Sequence, residues 1–111
     1  MNICCEKLED VTIVKLSGCI DALANSQFSA SLDLQSRQDN LIIDLSGIAF
    51  MDSAGLGALV LLIRNVKQSG GRCILASPPP LVLKILKVTA IHQMTRIEPS
   101  VEKALLSLKG N

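Results

Sequence analysis

Apolar residues occur in short runs along this chain, and polar or glycine-rich stretches separate them. Two short segments, Asn2–Lys7 and Val11–Leu16, are typical of strands, and Glu9-Asp10 between them is typical of a tight turn. Leu41–Leu45 is almost continuously apolar, a pattern that indicates a central strand covered on both faces. Ser46–Asp52 is expected to be the connection that follows this strand. The first half of the chain therefore predicts a hairpin followed by a buried strand.

Apolar residues spaced three or four positions apart predict helices elsewhere in the chain. Phe28 and Leu32 form such a stripe in a helix that we expect over Ala22–Gln38, after Gly18 has ended the second strand. A second helix is predicted over Ser53–Ser69, and two glycines at 70 and 71 should end it through C-cap chemistry. The buried face expected for this second helix consists of Leu56, Leu59, Val60, Ile63 and Val66.

The last third of the chain continues the alternation of strands and helices. The predicted elements are a buried strand at Cys73–Ala76, a helix at Leu81–Lys87 that Pro80 can begin, an edge strand at Met94–Ile97 and a helix at Val101–Leu108. The full order is β-β-α-β-α-β-α-β-α. It predicts an α/β fold with a mixed sheet, mostly parallel after the N-terminal hairpin, covered by about four helices.

Composition and charge narrow the range of functions. With 111 residues, 49% of them hydrophobic, the chain is long enough for one domain with its own core. The net charge is +1, the cations are scattered, and the only aromatic residues are Phe28 and Phe50, so we expect no nucleic acid partner. The longest apolar run, Ala58–Ile63, is far below the ~20 residues of a membrane helix. We expect a cytoplasmic protein without membrane insertion, monomeric when free.

The cysteines predict neither disulfides nor a metal site. No Cys-x-x-Cys pair occurs among the four cysteines, and the chain has a single histidine, His92. The cysteines are Cys4, Cys5, Cys19 and Cys73. We therefore interpret the cysteines as small apolar residues of a reducing compartment, and His92 as a solvated loop residue.

The segment Asp52–Gly57 is the most informative part of the sequence. It leads from the buried strand into the second predicted helix, where either Asp52 or Ser53 can act as the N-cap. Its glycines, Gly55 and Gly57, each cost a helix about 1 kcal/mol relative to alanine, but they allow close approach to the backbone. Ligands of α/β sheets usually bind at strand-to-helix loops of this kind. The residues alone leave open whether Ser53 is only a cap.

Several segments together resemble the anti-sigma-factor antagonists, proteins made of one STAS-type domain. The signature of that family is similar to two segments of this chain, Leu41–Leu45 and the later Asp52–Gly57, which reads Asp-Ser-Ala-Gly-Leu-Gly. The other elements of the family match, in the same order along the chain, Gly18–Asp21, the glycine pair 70–71 and Val101–Leu106. The resemblance covers essentially the whole chain and implies a single STAS domain over residues 1–111.

The resemblance implies a switch that works by binding a partner, without a cofactor or enzyme activity of its own. The unmodified family member binds an anti-sigma factor that is also a serine kinase, and a sigma factor is released. The kinase phosphorylates the serine of the motif with ATP, the complex separates, and a phosphatase resets the protein. The phosphorylated residue here would be Ser53. Ala54 replaces a second hydroxyl that many relatives have, and Cys19 replaces a residue that is often charged.

The surface that meets the kinase is expected around Ser53. Asp21 is either a helix cap or part of this surface, and both roles are compatible. Leu61 shares a helical stripe with Gly57 and Arg64, and it either contacts the partner or packs under a neighbouring loop. The residues expected to contact the partner are Asp21, Asp52, Ser53, Ala54, Gly55, Leu56, Gly57 and Leu61.

The same residues bear on three alternative functions. STAS-like domains also occur as accessory subunits of transport or signalling complexes, where no phosphorylation is needed. An enzyme with Ser53 as nucleophile would need a base, and the only histidine, His92, lies outside any suitable motif. Nucleotide binding by the domain itself stays open, although the sequence has no Walker-type Gly-Lys-Ser/Thr motif.

Overall fold

A computed structural model describes residues 1–32 and 40–109 of the chain. The order of strands and α-helices in these residues confirms the predicted order, with a single 3-10 turn, Ile91–Gln93, added before the last strand. The elements are β1 Asn2–Leu8, β2 Val11–Ile20, α1 Ala24–Ser31, β3 Asn40–Met51, α2 Ser53–Gln68, β4 Cys73–Ala76, α3 Pro80–Val88, β5 Arg96–Glu98 and α4 Val101–Lys109.

The five strands form one mixed sheet in the order β1-β2-β3-β4-β5. The β1 strand pairs antiparallel with β2, and the three remaining pairs are parallel, as the alternation of strands and helices predicts. Neighbouring positions in this register, such as Val14, Ile43 and Leu75, lie side by side on one face of the sheet. These three side chains are fully buried, so the register is fixed by a shared apolar face.

The sheet buries both of its faces, against different helices. The larger core lies between one face and helices α1, α2 and α3, where Phe28, Leu59 and Leu86 meet the sheet. The opposite face packs its Ile42 and Ile74 against α4 around Ala104. Adjacent residues of β3 thus enter different cores, which confirms that the Leu41–Leu45 segment is covered on both sides.

Strands β2 and β3 extend further than the sequence predicts. Gly18 does not end β2; it adopts a φ of +97° at a register shift, and the strand continues to Ile20. The prediction that Ser46–Asp52 is a connection is also wrong, because β3 stays paired with β2 up to Met51. Ile20 and Met51 are register partners and both are buried, so these irregular ends still contribute to the core.

The predictions for two helices need smaller corrections. Helix α1 ends at Ser31, Leu32 is buried just beyond it, and the predicted positions 33–38 lie outside the described residues. In α2, Leu56 and Val60 are half-buried while Leu62 is buried, so the buried face is rotated from the predicted one. The rotation brings Ala58 and Leu62 into the core that α1 shares with α2.

The last strand begins at Arg96 rather than at Met94. Ala90 has a φ of +62° and leads into the 3-10 turn. The backbone N–H groups of Met94 and Thr95 donate back to the carbonyl of Ile91, so these two residues complete the turn instead of starting the strand. The hydroxyl of Thr95 is buried and donates to the carbonyl of Cys73, so this residue closes the turn against the start of β4. The C-terminal helix begins as predicted at Val101, after Ser100, whose Oγ accepts a hydrogen bond from the backbone N–H of Lys103.

Candidate functional site

The connection between β3 and α2 consists of a single residue, Asp52. Its backbone is extended, and its Oδ1 accepts a hydrogen bond of 2.8 Å from the backbone N–H of Gly55. Asp52 is therefore the N-cap of α2, and Ser53 is the first residue of the helix. Of the two candidates for the cap, the structure selects the aspartate, and the serine hydroxyl has no capping role.

The hydroxyl of Ser53 is accessible at the start of α2. Ser53 and Ala54 are both exposed, and within the described residues no hydrogen bond engages the Ser53 side chain. The first helical hydrogen bond runs from Leu56 N to Asp52 O over 2.8 Å, so the amides of Ser53 and Ala54 precede the helical ladder. A negative group on Ser53 would lie at the positive end of the helix dipole.

Gly55 brings the first turn of α2 directly onto the end of β2. A Cβ atom at this position would lie 2.0 Å from the carbonyl oxygen of Ile20 and 2.9 Å from the amide nitrogen of Asp21. The same Ile20 carbonyl accepts a 3.2 Å hydrogen bond from the backbone N–H of Asp52. Glycine is therefore required at position 55 by contact with the backbone. At Gly57, in contrast, a Cβ would meet no heavy atom within 4 Å.

Asp21 lies beside the start of α2 and shapes the turn into α1. Its Oδ1 accepts a hydrogen bond of 3.0 Å from Leu23 N, and its carbonyl accepts one of 3.0 Å from Ala24 N. Leu23, which occupies the N-cap position of α1, makes no side-chain cap bond, so Asp21 stabilises the preceding turn rather than capping the helix. The contact with Gly55 brings the loop of Asp21 next to that of Asp52 and Ser53.

The stripe of Gly57, Leu61 and Arg64 is exposed along α2. Leu61 retains 41% of its accessible surface, so it is outside the core. Leu56, which sequence reasoning also assigned to the contact surface, is half-buried and packs against the larger core. The described helix thus presents Leu61, and not Leu56, as its prominent exposed apolar side chain near Ser53.

Two exposed apolar residues near this site were missed by sequence reasoning. Leu23 is 65% exposed after the turn of Asp21, and Phe50 is 49% exposed two residues before Asp52. Phe50 is the register partner of the exposed Cys19, so both lie where β2 and β3 end beside α2. The sequence held one signal for Phe50. A large apolar residue in a segment predicted to be a connection is a candidate for an exposed contact residue.

The remaining candidate residues add no second reactive centre. His92 is exposed, and the four cysteines, all within the described residues, form no disulfide; only Cys73 among them is buried. Burial raises the pKa of the Cys73 thiol to about 12, so this thiol stays protonated and unreactive at neutral pH. Within residues 1–32 and 40–109, no three His, Cys, Asp or Glu side chains are close enough to hold a metal ion. None of the helices described there is long and apolar enough to cross a membrane.

Comparison with known proteins gives consistent matches over nearly the whole chain. A family model described as the STAS domain matches residues 2–104. The anti-sigma F factor antagonist of Paenibacillus polymyxa is 28% identical over 102 residues, which is 89% of this chain and 87% of the relative.

Solved structures share the fold at lower identity. The anti-sigma factor antagonist SpoIIAA in its unphosphorylated form has a TM-score of 0.71 at 23% identity, covering 99% of this chain and 100% of that one. The Bacillus cell fate determinant SpoIIAA in the phosphorylated form has a TM-score of 0.72, also at 23% identity, covering 96% and 99%. A sulfate transporter family protein from Wolinella succinogenes has a TM-score of 0.80 at 17% identity, covering 92% and 87%.

Proposed function

Because the chain belongs to the STAS domain family, we propose that it is an anti-sigma-factor antagonist whose binding activity is switched off by phosphorylation of Ser53. The observation that supports this most directly is the division of roles at the start of α2. Asp52 caps the helix, which leaves the hydroxyl of Ser53 exposed and without a hydrogen bond among the described residues. The serine is thus accessible to a kinase, and its modification removes no contact that the fold needs.

In the proposed cycle, the unphosphorylated protein binds an anti-sigma factor that also has serine kinase activity, and the sigma factor or another regulated target is released. The kinase then transfers the γ-phosphoryl group of ATP to Ser53 Oγ; the hydroxyl loses its proton and ADP leaves. The complex separates, and a serine phosphatase restores the hydroxyl by hydrolysis. Since the cycle consumes ATP, we place it in the cytoplasm.

The electrostatics of the site favour release by local repulsion. A phosphate adds about −1.5 to −2 charges at neutral pH and would lie next to Asp52, whose carboxylate caps α2, with the loop of Asp21 close by. The amides at the helix N-terminus stabilise the phosphate within the protein, so the fold is preserved while acidic groups of the partner are repelled. The unphosphorylated and the phosphorylated form of SpoIIAA both share the fold of this chain, with TM-scores of 0.71 and 0.72.

Mapping the modified residue tests the proposed function. After incubation with ATP and the anti-sigma kinase of the same organism, mass spectrometry should find one phosphate, on Ser53, because Ala54 offers no second hydroxyl in the motif. The Ser53→Ala protein is the matched control and should remain unmodified. Phosphate on another residue, with Ser53 untouched, would contradict the proposal.

The exposed stripe of α2 gives a second test, on the position of the interface. We expect Leu61→Asp to weaken partner binding about tenfold, which corresponds to about 1.4 kcal/mol, because an exposed leucine beside Gly57 can be buried by the partner. The midpoint of thermal unfolding should hardly change, because Leu61 lies outside the core. Calorimetric titration of the folded variant measures the affinity, and Leu106→Asp, another exposed leucine on α4, is the control. Unchanged binding by Leu61→Asp would place the interface elsewhere.

A second candidate function is that of an accessory domain without phospho-switching. The fold similarity to the sulfate transporter family protein of Wolinella succinogenes, with a TM-score of 0.80, favours it. The mapping experiment separates the two functions, because an accessory domain has no need of a phosphate on Ser53.

A further inference from the structure

A long groove runs along β5, at the edge of the sheet opposite to β1. It consists of two adjoining cavities of about 420 Å³ and about 580 Å³, which share His92 and Arg96 in their walls. The first cavity lies between the end of α2 and the starts of β4 and β5, and the second lies between α3 and β5. We call the two cavities together the basic groove.

The walls of the basic groove are rich in positive charge. Among the described residues, its cations are Lys67, Arg72, Lys87 and Arg96, and its only carboxylate is Glu98. These five side chains give a local excess of positive charge in a chain whose net charge is only +1. Charge of one sign along a groove attracts ligands of the opposite sign and steers their approach.

The hydrogen bonds within the groove leave much of this charge available. Arg96 is held by the hydroxyl of Ser107 and by Glu98, with Nε and Oε2 3.8 Å apart. Lys67 Nζ donates to the carbonyl oxygen of Met94, a neutral acceptor that does not cancel its charge. Within the described part of the chain, neither Lys67 nor Lys87 forms an ion pair.

The two halves of the groove differ in polarity. The second cavity adds the apolar surfaces of Pro78, Leu83, Ile97 and Pro99 to the cationic wall. All four cations of the groove are exposed residues, so a ligand would lie along an open surface rather than in an enclosed pocket. Small-molecule sites usually bury most of their ligand, and neither phenylalanine of the chain lines the groove to stack on a base.

From this arrangement, we propose that the basic groove binds an extended polypeptide segment of a second protein, with acidic residues beside Lys67 and Arg96 and apolar residues beside Leu83 and Ile97. None of the residues that line the groove belongs to the loops of Asp21 and Ser53. The segment therefore binds whether or not Ser53 is modified, and the domain can hold one protein while it exchanges another.

The test uses a fluorescein-labelled peptide of about twelve residues, which spans about 40 Å when it is fully extended. Glutamate fills its first half, and leucine alternates with serine in its second half. A matched peptide has glutamine in place of every glutamate. Fluorescence anisotropy at low ionic strength should detect binding of the acidic peptide only. Amide chemical shifts in NMR spectra should change at Lys67 and around Arg96, and not around Ser53.

Charge-matched variants decide whether the groove itself is the site. Lys67→Gln combined with Arg96→Gln should raise the Kd of the acidic peptide about fivefold, because the two exposed charge contacts proposed for its glutamates are lost. Lys15→Gln combined with Lys103→Gln removes the same charge from exposed positions outside the groove and should leave the Kd within about twofold. Binding to Ser53→Asp should equal binding to the unmodified protein.

Several results would overturn the proposal. Absence of binding, equal losses in the two double variants, or shift changes confined to the Ser53 loop would show that the groove is not the site. Inorganic phosphate or ATP that shifts the same amides at lower concentration than the peptide would assign the groove to a small anion instead. None of these outcomes tests whether Ser53 is phosphorylated, so failure here is distinguishable from failure of the proposed switch.

Discussion

Replacing Ser53 with aspartate is expected to weaken binding of the anti-sigma partner about a hundredfold, or about 2.7 kcal/mol. The new carboxylate would add to the charge of Asp52 at the start of α2, with the loop of Asp21 close by. Acidic groups of the partner that face this charge across the interface would then cost several kcal/mol. Ser53→Ala should instead bind as tightly as the unmodified protein and remain bound in the presence of ATP, because it cannot accept phosphate. Surface plasmon resonance with and without ATP measures both effects.

The control for this prediction places the same charge at the other end of the same helix. Gln68 is exposed and is the last residue of α2, about 22 Å from Ser53 at a rise of about 1.5 Å per residue. Gln68→Glu should leave the affinity within about twofold, since a charge at that distance is largely screened at physiological ionic strength. If Ser53→Asp binds like the unmodified protein, the proposed switch does not operate at this serine.

The Gly55→Ala substitution is expected to lower the free energy of unfolding by about 3 kcal/mol, at the upper end of the usual cost of overpacking. The added methyl group would lie 2.0 Å from the carbonyl oxygen of Ile20, a backbone atom that can move only if α2 and β2 separate. Part of the partner affinity should be lost as well, because the same shift displaces Ser53 from Asp21. Chemical denaturation followed by circular dichroism measures the stability.

Gly57→Ala is the matched control, because the two glycines lie in the same two turns of α2. A Cβ at Gly57 meets nothing within 4 Å, so alanine should raise stability by up to about 1 kcal/mol through its higher helix propensity. Equal effects of the two substitutions would show that the contact between Gly55 and Ile20 does not constrain the helix.

The sequence was sufficient to predict the order of the elements, because strand and helix periods alternate clearly from Leu41 onwards. It was insufficient to choose the buried face of α2. Ala58–Ile63 is apolar at every position, so periodicity alone cannot say which side meets the sheet. The choice depends on α1 and on the close approach of Gly55 to β2, and both are tertiary contacts.

The ends of β2 and β3 were unpredictable for a related reason. Past Leu45 the alternation of apolar and polar residues breaks down, since register shifts change which side chains face the core. Ile48 and Met51 are buried, whereas Phe50 between them is exposed. A sequence pattern read at a fixed period of two cannot follow such a strand.

The candidate site was predictable in its location but not in its internal roles. The segment Asp52–Gly57 marks the loop in the sequence, but only the bond from Gly55 N to Asp52 Oδ1 assigns the cap. Likewise, Leu23 and Leu61 are exposed because no other element of the described fold covers them, which is a property of the tertiary structure. Hydrophobicity alone does not reveal this, because exposed and buried leucines look alike in a sequence.

The carbonyl of Ile20 also affects how a kinase would recognise Ser53. This oxygen accepts a hydrogen bond from the backbone N–H of Asp52 and is in close contact with Gly55. Asp52 and Gly55, which lie before and after Ser53 in the chain, are therefore both fixed to the end of β2. The fold has thus already lost the conformational entropy that a flexible acceptor peptide would lose on entering an active site. A kinase acting on Ser53 would gain by recognising a rigid surface assembled from two separate segments. An isolated peptide with the Asp52–Gly57 sequence would lack the Ile20 half of that surface and make a poor substrate.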